Sequence, residues 1–190
     1  MARIAIIVGH PRLGTFCAAL AEAYRGGAEE AGHEVKTIEL AVLTFDPILR
    51  EAYVRVQPRE PDLETVYRDI RAADHLVFVF PLWLGDMPAL LKGFLERILQ
   101  PELIEPAKTG KFVQVLKGKS ARVIVTMGMP GLIYRWWFGA HAVKLLEHNI
   151  LRFMGVAPVR VTIHGSIKAV SRSKREGWIA AARDLGRRCA

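Results

Sequence analysis

Cysteine is nearly absent from this chain of 190 residues, which carries only Cys17 and Cys189. Their number and spacing suit neither a metal clamp, a CxxC redox pair nor a disulfide framework, so a reducing, cytoplasmic setting is expected. Long hydrophobic runs are missing too. The longest, such as Ile4 to Val8 and Leu76 to Phe80, fall far short of the roughly 20 residues of a membrane helix, and no membrane insertion is expected. The apolar run after Arg3 stops at Gly9-His10-Pro11, too soon for a secretory h-region. Repeats, low-complexity tracts and linkers are lacking as well, and residues 1–190 are expected to form one domain.

Acidic residues are the scarcer charge, 19 against 27 Lys and Arg, for a net charge of +8. Much of the excess falls late, in Lys168, Arg172, Lys174, Arg175, Arg183, Arg187 and Arg188. A basic surface draws in nucleic acid, membrane or an anionic cofactor. No aromatic-plus-basic module accompanies the charge, so nucleic acid is not expected, and a solvated helix face is the simpler account. Several signatures are absent. Gly9 and Gly14 lie too far apart for GxGxxG, no Walker A lysine follows, no acidic residue ends the first strand, and there is no GxSxG elbow.

Alternation is what the sequence does contain. Short apolar runs at Arg3–Val8, Glu34–Leu40, His75–Phe80, Arg122–Thr126 and Val159–Ile163 read as strands. Helical spacing occupies Thr15–Ala31, with Gly32 as its C-cap, Pro61–Ala73, Pro88–Leu99, Gly139–Met154 and Ser171–Arg187. Strands separated by helices predict an α/β fold, a doubly wound five-stranded parallel sheet of order 2-1-3-4-5. Such a sheet binds its ligand at the carboxyl ends of its strands, in the loops after strands 1, 3 and 4.

Those loops carry unusual residues. After strand 1, Gly9 to Cys17 leads into a helix whose first amides and dipole favour a phosphate, with His10, Arg12 and Thr15 as further donors. A simple turn with Thr15 as N-cap explains the same residues. After strand 3, Pro81-Leu82-Trp83-Leu84 offers an apolar, aromatic turn suited to a flat ring, or to core packing. After strand 4, Thr126-Met127-Gly128 permits close backbone approach, and Tyr134 and His141 place polar groups beside Trp136-Trp137. That tryptophan pair fits a subunit interface as well as ligand stacking.

Taken together, the loops resemble the NAD(P)H:quinone oxidoreductases of the DT-diaphorase type, within the flavodoxin-like superfamily. The most specific match is Phe80-Pro81-Leu82-Trp83 continuing through Pro88-Ala89-Leu90-Leu91-Lys92-Gly93-Phe94-Leu95-Glu96-Arg97, similar to a proline-led flavin turn followed by PAxLKGxxxR. The first loop resembles H-P-x-x-x-S-F-N, with Thr15 in the serine position. The resemblance implies a flavin with its phosphate end at His10, Thr15, Phe16 and Cys17. It places the ring against Pro81, Leu82, Trp83 and Leu84, and against Thr126, Met127 and Gly128. It implies FMN or FAD, the short chain favouring FMN, with NADH or NADPH as hydride donor and a quinone-like acceptor. It further implies ping-pong transfer through flavin N5, a homodimer with active sites at the interface, and Tyr134 and His141 as the pair that stabilises the reduced ring.

Three departures stand out. Cys17 replaces an asparagine, the Tyr134–His141 stretch is one residue longer, and Pro101-Glu102-Leu103-Ile104 lacks an aromatic pair. Two other outputs share the same site: a regulatory partner of a membrane transport system, and a reductase of azo, nitroaromatic or free-flavin acceptors.

Overall fold

In the computed structural model, residues 1–110 and 114–189 are described, with the backbone alone for 101–109. Five parallel strands, β1 (Arg3–Val8), β2 (Glu34–Glu39), β3 (His75–Pro81), β4 (Ser120–Thr126) and β5 (Val159–His164), lie in the order β2-β1-β3-β4-β5. The expected order is therefore observed. The helices are α1 (Phe16–Glu30), α2 (Pro61–Ala72), α3 (Ala89–Thr109), α4 (Gly131–Trp136), α5 (His141–Lys144), a π-helix (Leu145–Arg152) and α6 (Arg172–Arg187).

Side chains alternate across a strand, so each central strand feeds two cores. Ile4, Ile6, Val8, Val77, Val79 and Ile124 point to the face covered by α1 and α6. Ala5, Ile7, Leu76, Phe78, Phe80, Val123 and Val125 point to the other, under α2, α3 and the π-helix. Both faces of the inner strands are buried, which is why these strands read as continuous β-branched runs. The α1–α6 contact is unusually close. A Cβ on Gly27 would overlap the Arg183 carbonyl oxygen, and one on Gly186 would overlap that of Tyr24.

Three elements depart from the sequence reading. Helix α3 does not stop at Leu99 but runs through Pro101 to Thr109. Proline weakens a helix by removing one amide donor, yet the turn before it is fixed by buried bonds from Arg97 and Gln100. Helix α4 was not expected: six residues are too few to show a period. The expected helix over 139–154 is interrupted at its start, where Gly139 and Ala140 have φ of +61° and +51°, and continues as α5 and then the π-helix.

Candidate functional site

The chain's chemistry-bearing loops meet at the carboxyl end of the sheet. The ladder itself begins to join them: the Gly9 amide donates to the Val79 carbonyl (2.9 Å), Leu82 to Thr126 (2.8 Å) and Met127 to His164 (2.9 Å). Side chains complete the junction. His10 meets Trp83 edge to face with centroids 5.3 Å apart, linking the loops after β1 and β3. Cys17 Sγ lies 3.3 Å from Thr126 Oγ1, linking the start of α1 to the end of β4.

At the start of α1, Thr15 is the N-cap, its Oγ1 accepting from the Ala18 amide at 3.3 Å, and Ala19 donates to the Thr15 carbonyl at 3.0 Å. Helix geometry leaves the amides of Phe16 and Cys17 with no intrahelical acceptor. No acidic residue stands in that first turn, so the positive end of the dipole is uncompensated there. The Cys17 side chain is not available to a ligand: it is 2% exposed, and burial pushes its thiol up to about 11. Its amide is what it can offer. His10 accepts from the Arg12 amide through Nδ1 (3.0 Å), and burial, with Arg12 beside it, holds its pKa below the usual histidine value.

The loop after β3 is a tight hairpin. Trp83 and Asp86 exchange both backbone bonds, at 2.8 and 3.0 Å, across Leu84 and Gly85, whose φ values are +49° and +83°. Positive φ at both centre positions is the type I′ arrangement. It leaves Leu84 wholly exposed and Trp83 half-exposed, while Pro81 is buried at the strand end. Asp86 Oδ1 accepts from the Met87 amide at 2.7 Å, closing the turn against α3.

After β4, Thr126 and Met127 are buried, and a Cβ added to Gly128 would find nothing within 4 Å. Gly128 is exposed, with open space over it. The structure separates Tyr134 from His141. Tyr134 is 1% exposed, and its hydroxyl accepts from the Val143 amide at 3.3 Å, under the start of α5. His141 is exposed on the far side of the Gly139–Ala140 turn, its ring folded against Gly139. The two therefore do not form one open pair. The outward face of α4 and its end is apolar: Leu132, Ile133, Trp136, Trp137 and Phe138 are all exposed, the two tryptophans by more than four-fifths.

Two further residues complete the surroundings: His164, in the string Ile163-His164-Gly165 that also resembles the family, and Trp178, which the sequence did not point to. His164, at the end of β5, packs on Trp178 of α6 with centroids 4.6 Å apart, and Trp178 approaches Phe16 at 6.2 Å. The one sequence signal of Trp178 is that it interrupts a basic helix. The side chains of Pro101-Glu102-Leu103-Ile104 lie outside the described residues. Among the described residues no helix is long and apolar enough to cross a membrane.

Residues 2–186 match the family described by its flavodoxin-like fold. The chain is 28% identical over 184 residues to an uncharacterized NAD(P)H oxidoreductase of Haemophilus influenzae, covering 92% of this chain and 89% of that one. It is 24% identical over 205 aligned residues to NAD(P)H dehydrogenase (quinone) 1 of Rattus norvegicus, covering 93% and 74%. The NAD(P)H:quinone oxidoreductase of Methanothermobacter marburgensis superposes with a TM-score of 0.79 at 26% identity, over 98% of this chain and 94% of that chain.

Proposed function

Because the chain belongs to the flavodoxin-like fold family, we propose that it is a flavin-dependent NAD(P)H oxidoreductase that reduces a quinone-like acceptor. The observation that carries this reading is the meeting of three loops around the start of α1. The capped helix end leaves the Phe16 and Cys17 amides without intrahelical acceptors, and the Cys17 side chain ties that end to Thr126, two residues before exposed Gly128. The residues present fit FMN, with FAD as the alternative. Thr15 and the two amides would hold its phosphate. Pro81 to Leu84 and Thr126 to Gly128 would flank its ring. A bound flavin supplies the hydride-accepting N5 and two-electron chemistry.

The chain's own work is to bind, orient and exclude water. Trp83 and Leu84 give one apolar wall, and His10 braces Trp83 edge to face. On this reading His141, which is exposed, would donate toward a developing anion. Tyr134 acts through position: its hydroxyl holds the Val143 amide and so sets the start of α5, which carries His141. Because the nicotinamide and the acceptor would use the same face in turn, ping-pong kinetics are expected. The apolar face of α4, with Trp136 and Trp137, is the surface on which a second copy would close the site.

The visible spectrum tests this reading. Protein loaded with FMN or FAD and freed of excess is expected to keep the flavin bands and to bleach with anaerobic NADPH or NADH. Failure to retain either flavin would sink the proposal. His141→Ala is expected to lower turnover about 10- to 100-fold with flavin retention unchanged. Unchanged turnover would remove His141 from the chemistry.

A further inference from the structure

Between β2 and α2 runs a long connection, and residues 46–60 of it lie along α3. Three residues of α3 hold it there, and they are spaced as one helical stripe: Gly93, Arg97 and Gln100. A Cβ on Gly93 would sit 2.8 Å from Pro47 Cβ and closer still to the Pro47 carbonyl oxygen, so only glycine lets the strap lie so near. Arg97 is wholly buried. Its Nη1 donates to the Asp46 carbonyl and to Glu60 Oε1, and its Nη2 to the Pro58 carbonyl (2.8 Å) and Glu60 Oε2 (2.9 Å). Burial alone would raise the Glu60 carboxyl, but the Arg97 fork and the Asp46 amide bring it below the usual carboxylate range. Gln100, equally buried, donates to the carbonyls of Ala52 (2.6 Å) and Arg55 (3.1 Å) and accepts from the Gln57 amide (2.8 Å).

The strap carries Tyr53 to a groove of about 260 Å³ between α3 and the π-helix, lined also by Lys92, Leu95, Leu99, Leu145 and Phe153. Both walls of the groove run on along the chain from elements of the candidate site. Helix α3 leaves directly from the Trp83–Asp86 turn, and the π-helix follows α5, which carries His141, without a break. Gly93 and Arg97, which the sequence attaches to a flavin-turn motif, thus act on the strap.

We infer that Gly93, Arg97 and Gln100 are positioning residues that latch the 46–60 strap, and that Tyr53, so placed, is a specificity-determining wall for the part of the acceptor extending past the flavin face. The second half rests on the oxidoreductase reading; the latch does not. A bulky apolar quinone therefore depends on the strap, and the nicotinamide step does not.

The test uses Gln100→Ala and Tyr53→Ala in the flavin-loaded full chain; Arg97 is avoided because removing one partner of a buried ion pair risks the fold itself. The Arg55–Val56 bond is a trypsin site whose carbonyl Gln100 holds. Gln100→Ala is expected to speed tryptic cleavage there several-fold, with the rate of flavin bleaching by NAD(P)H unchanged. It should also raise KM for a bulky quinone about 10-fold while leaving a small quinone unaffected. Tyr53→Ala should reproduce the KM change with no change in cleavage at Arg55. An unchanged cleavage rate in Gln100→Ala overturns the latch. Faster cleavage with unchanged KM for both quinones overturns the role of Tyr53. If the parent protein is not bleached by NAD(P)H, the oxidoreductase reading falls and takes the acceptor wall with it, while the cleavage assay still decides the latch.

Discussion

On one face of the sheet, α1 and α6 cross at two glycines so tightly that backbone meets backbone, and Glu30 ties both Arg183 and Arg187 across the crossing. On the other, a strap lies over α3 on polar bonds, a groove stays open, and the neighbouring helix α4 shows its apolar side chains to solvent. The first face is closed backbone to backbone where the two helices cross. The second spends hydrogen bonds on holding irregular chain in place and keeps apolar surface uncovered, as surfaces used for contact do. Permanence and contact are thus assigned to opposite sides of one sheet. The candidate site lies at the strand ends, where α1 from the closed face supplies its amides and the other face supplies walls.

The largest effect should come from breaking the closed face. Gly27→Ala places a methyl into the Arg183 carbonyl, where only movement of a backbone can relieve it. A loss of roughly 3 kcal/mol or more is expected, at the upper end for overpacking. Gly177→Ala, on the same face but in α6 with nothing within 4 Å, should instead stabilise by about 0.5–1 kcal/mol. Urea unfolding of the two variants reads both signs. Equal effects would mean that the crossing is looser than the distances state.

Acid should attack the same face. His75 stacks on Tyr24 of α1 and bonds Ser120 Oγ at 2.7 Å, and His164 packs on Trp178 of α6. Burial, with Arg122, Arg160 and His33 adding to it, lowers the His75 pKa to about 4; burial, with Lys174, does the same for His164. A lowered folded pKa means that the unfolded chain takes up protons first. The stability is fully present above about pH 6.5 and falls as pH drops toward 4, by on the order of 3 kcal/mol per histidine over the whole window. Urea midpoints measured from pH 7 to 4 should show this slope, and His75→Gln should remove about half of it. Over the same window the strap should persist, because Arg97 and the Asp46 amide hold the Glu60 carboxyl below the usual carboxylate range. If tryptic cleavage at Arg55 accelerates before the urea midpoint falls, the contrast between the faces is wrong.

What the sequence revealed follows the same division. Strands β1 and β3 were legible to within a residue because burial on both sides demands uninterrupted apolar runs, as in Ile4 to Val8. The loops of the candidate site were legible by location, since strand ends in such a sheet point to them. Orientation was not. That Tyr134 turns inward to Val143 while His141 stays outside depends on two left-handed residues, one of them Ala140, and alanine announces no such conformation. Nor could the sequence place Trp178 on His164, a contact made only once α6 has crossed back over the sheet. The stripe Gly93, Arg97, Gln100 was in plain view, but its partner is an irregular strap with no period of its own.

The smallest effect is the one that tests whether strain at the rim is functional. Leu84 sits at φ +49° with its side chain wholly in solvent, a conformation that costs a branched residue on the order of 1 kcal/mol and that no packing repays. Leu84→Gly relieves the strain but adds backbone entropy to the unfolded chain, so a net gain of only about 0.5 kcal/mol is expected, visible as a slightly higher urea midpoint. If Leu84 is kept for contact with a ring or a second copy, the same variant should bind flavin or NAD(P)H more weakly despite being more stable. Such an opposition of stability and binding would place the rim with the open face, as a surface shaped for a partner. A variant that gains stability and binds as before would show that the turn merely tolerates its leucine, and the walls of the site would then reduce to Trp83, Gly128 and the groove.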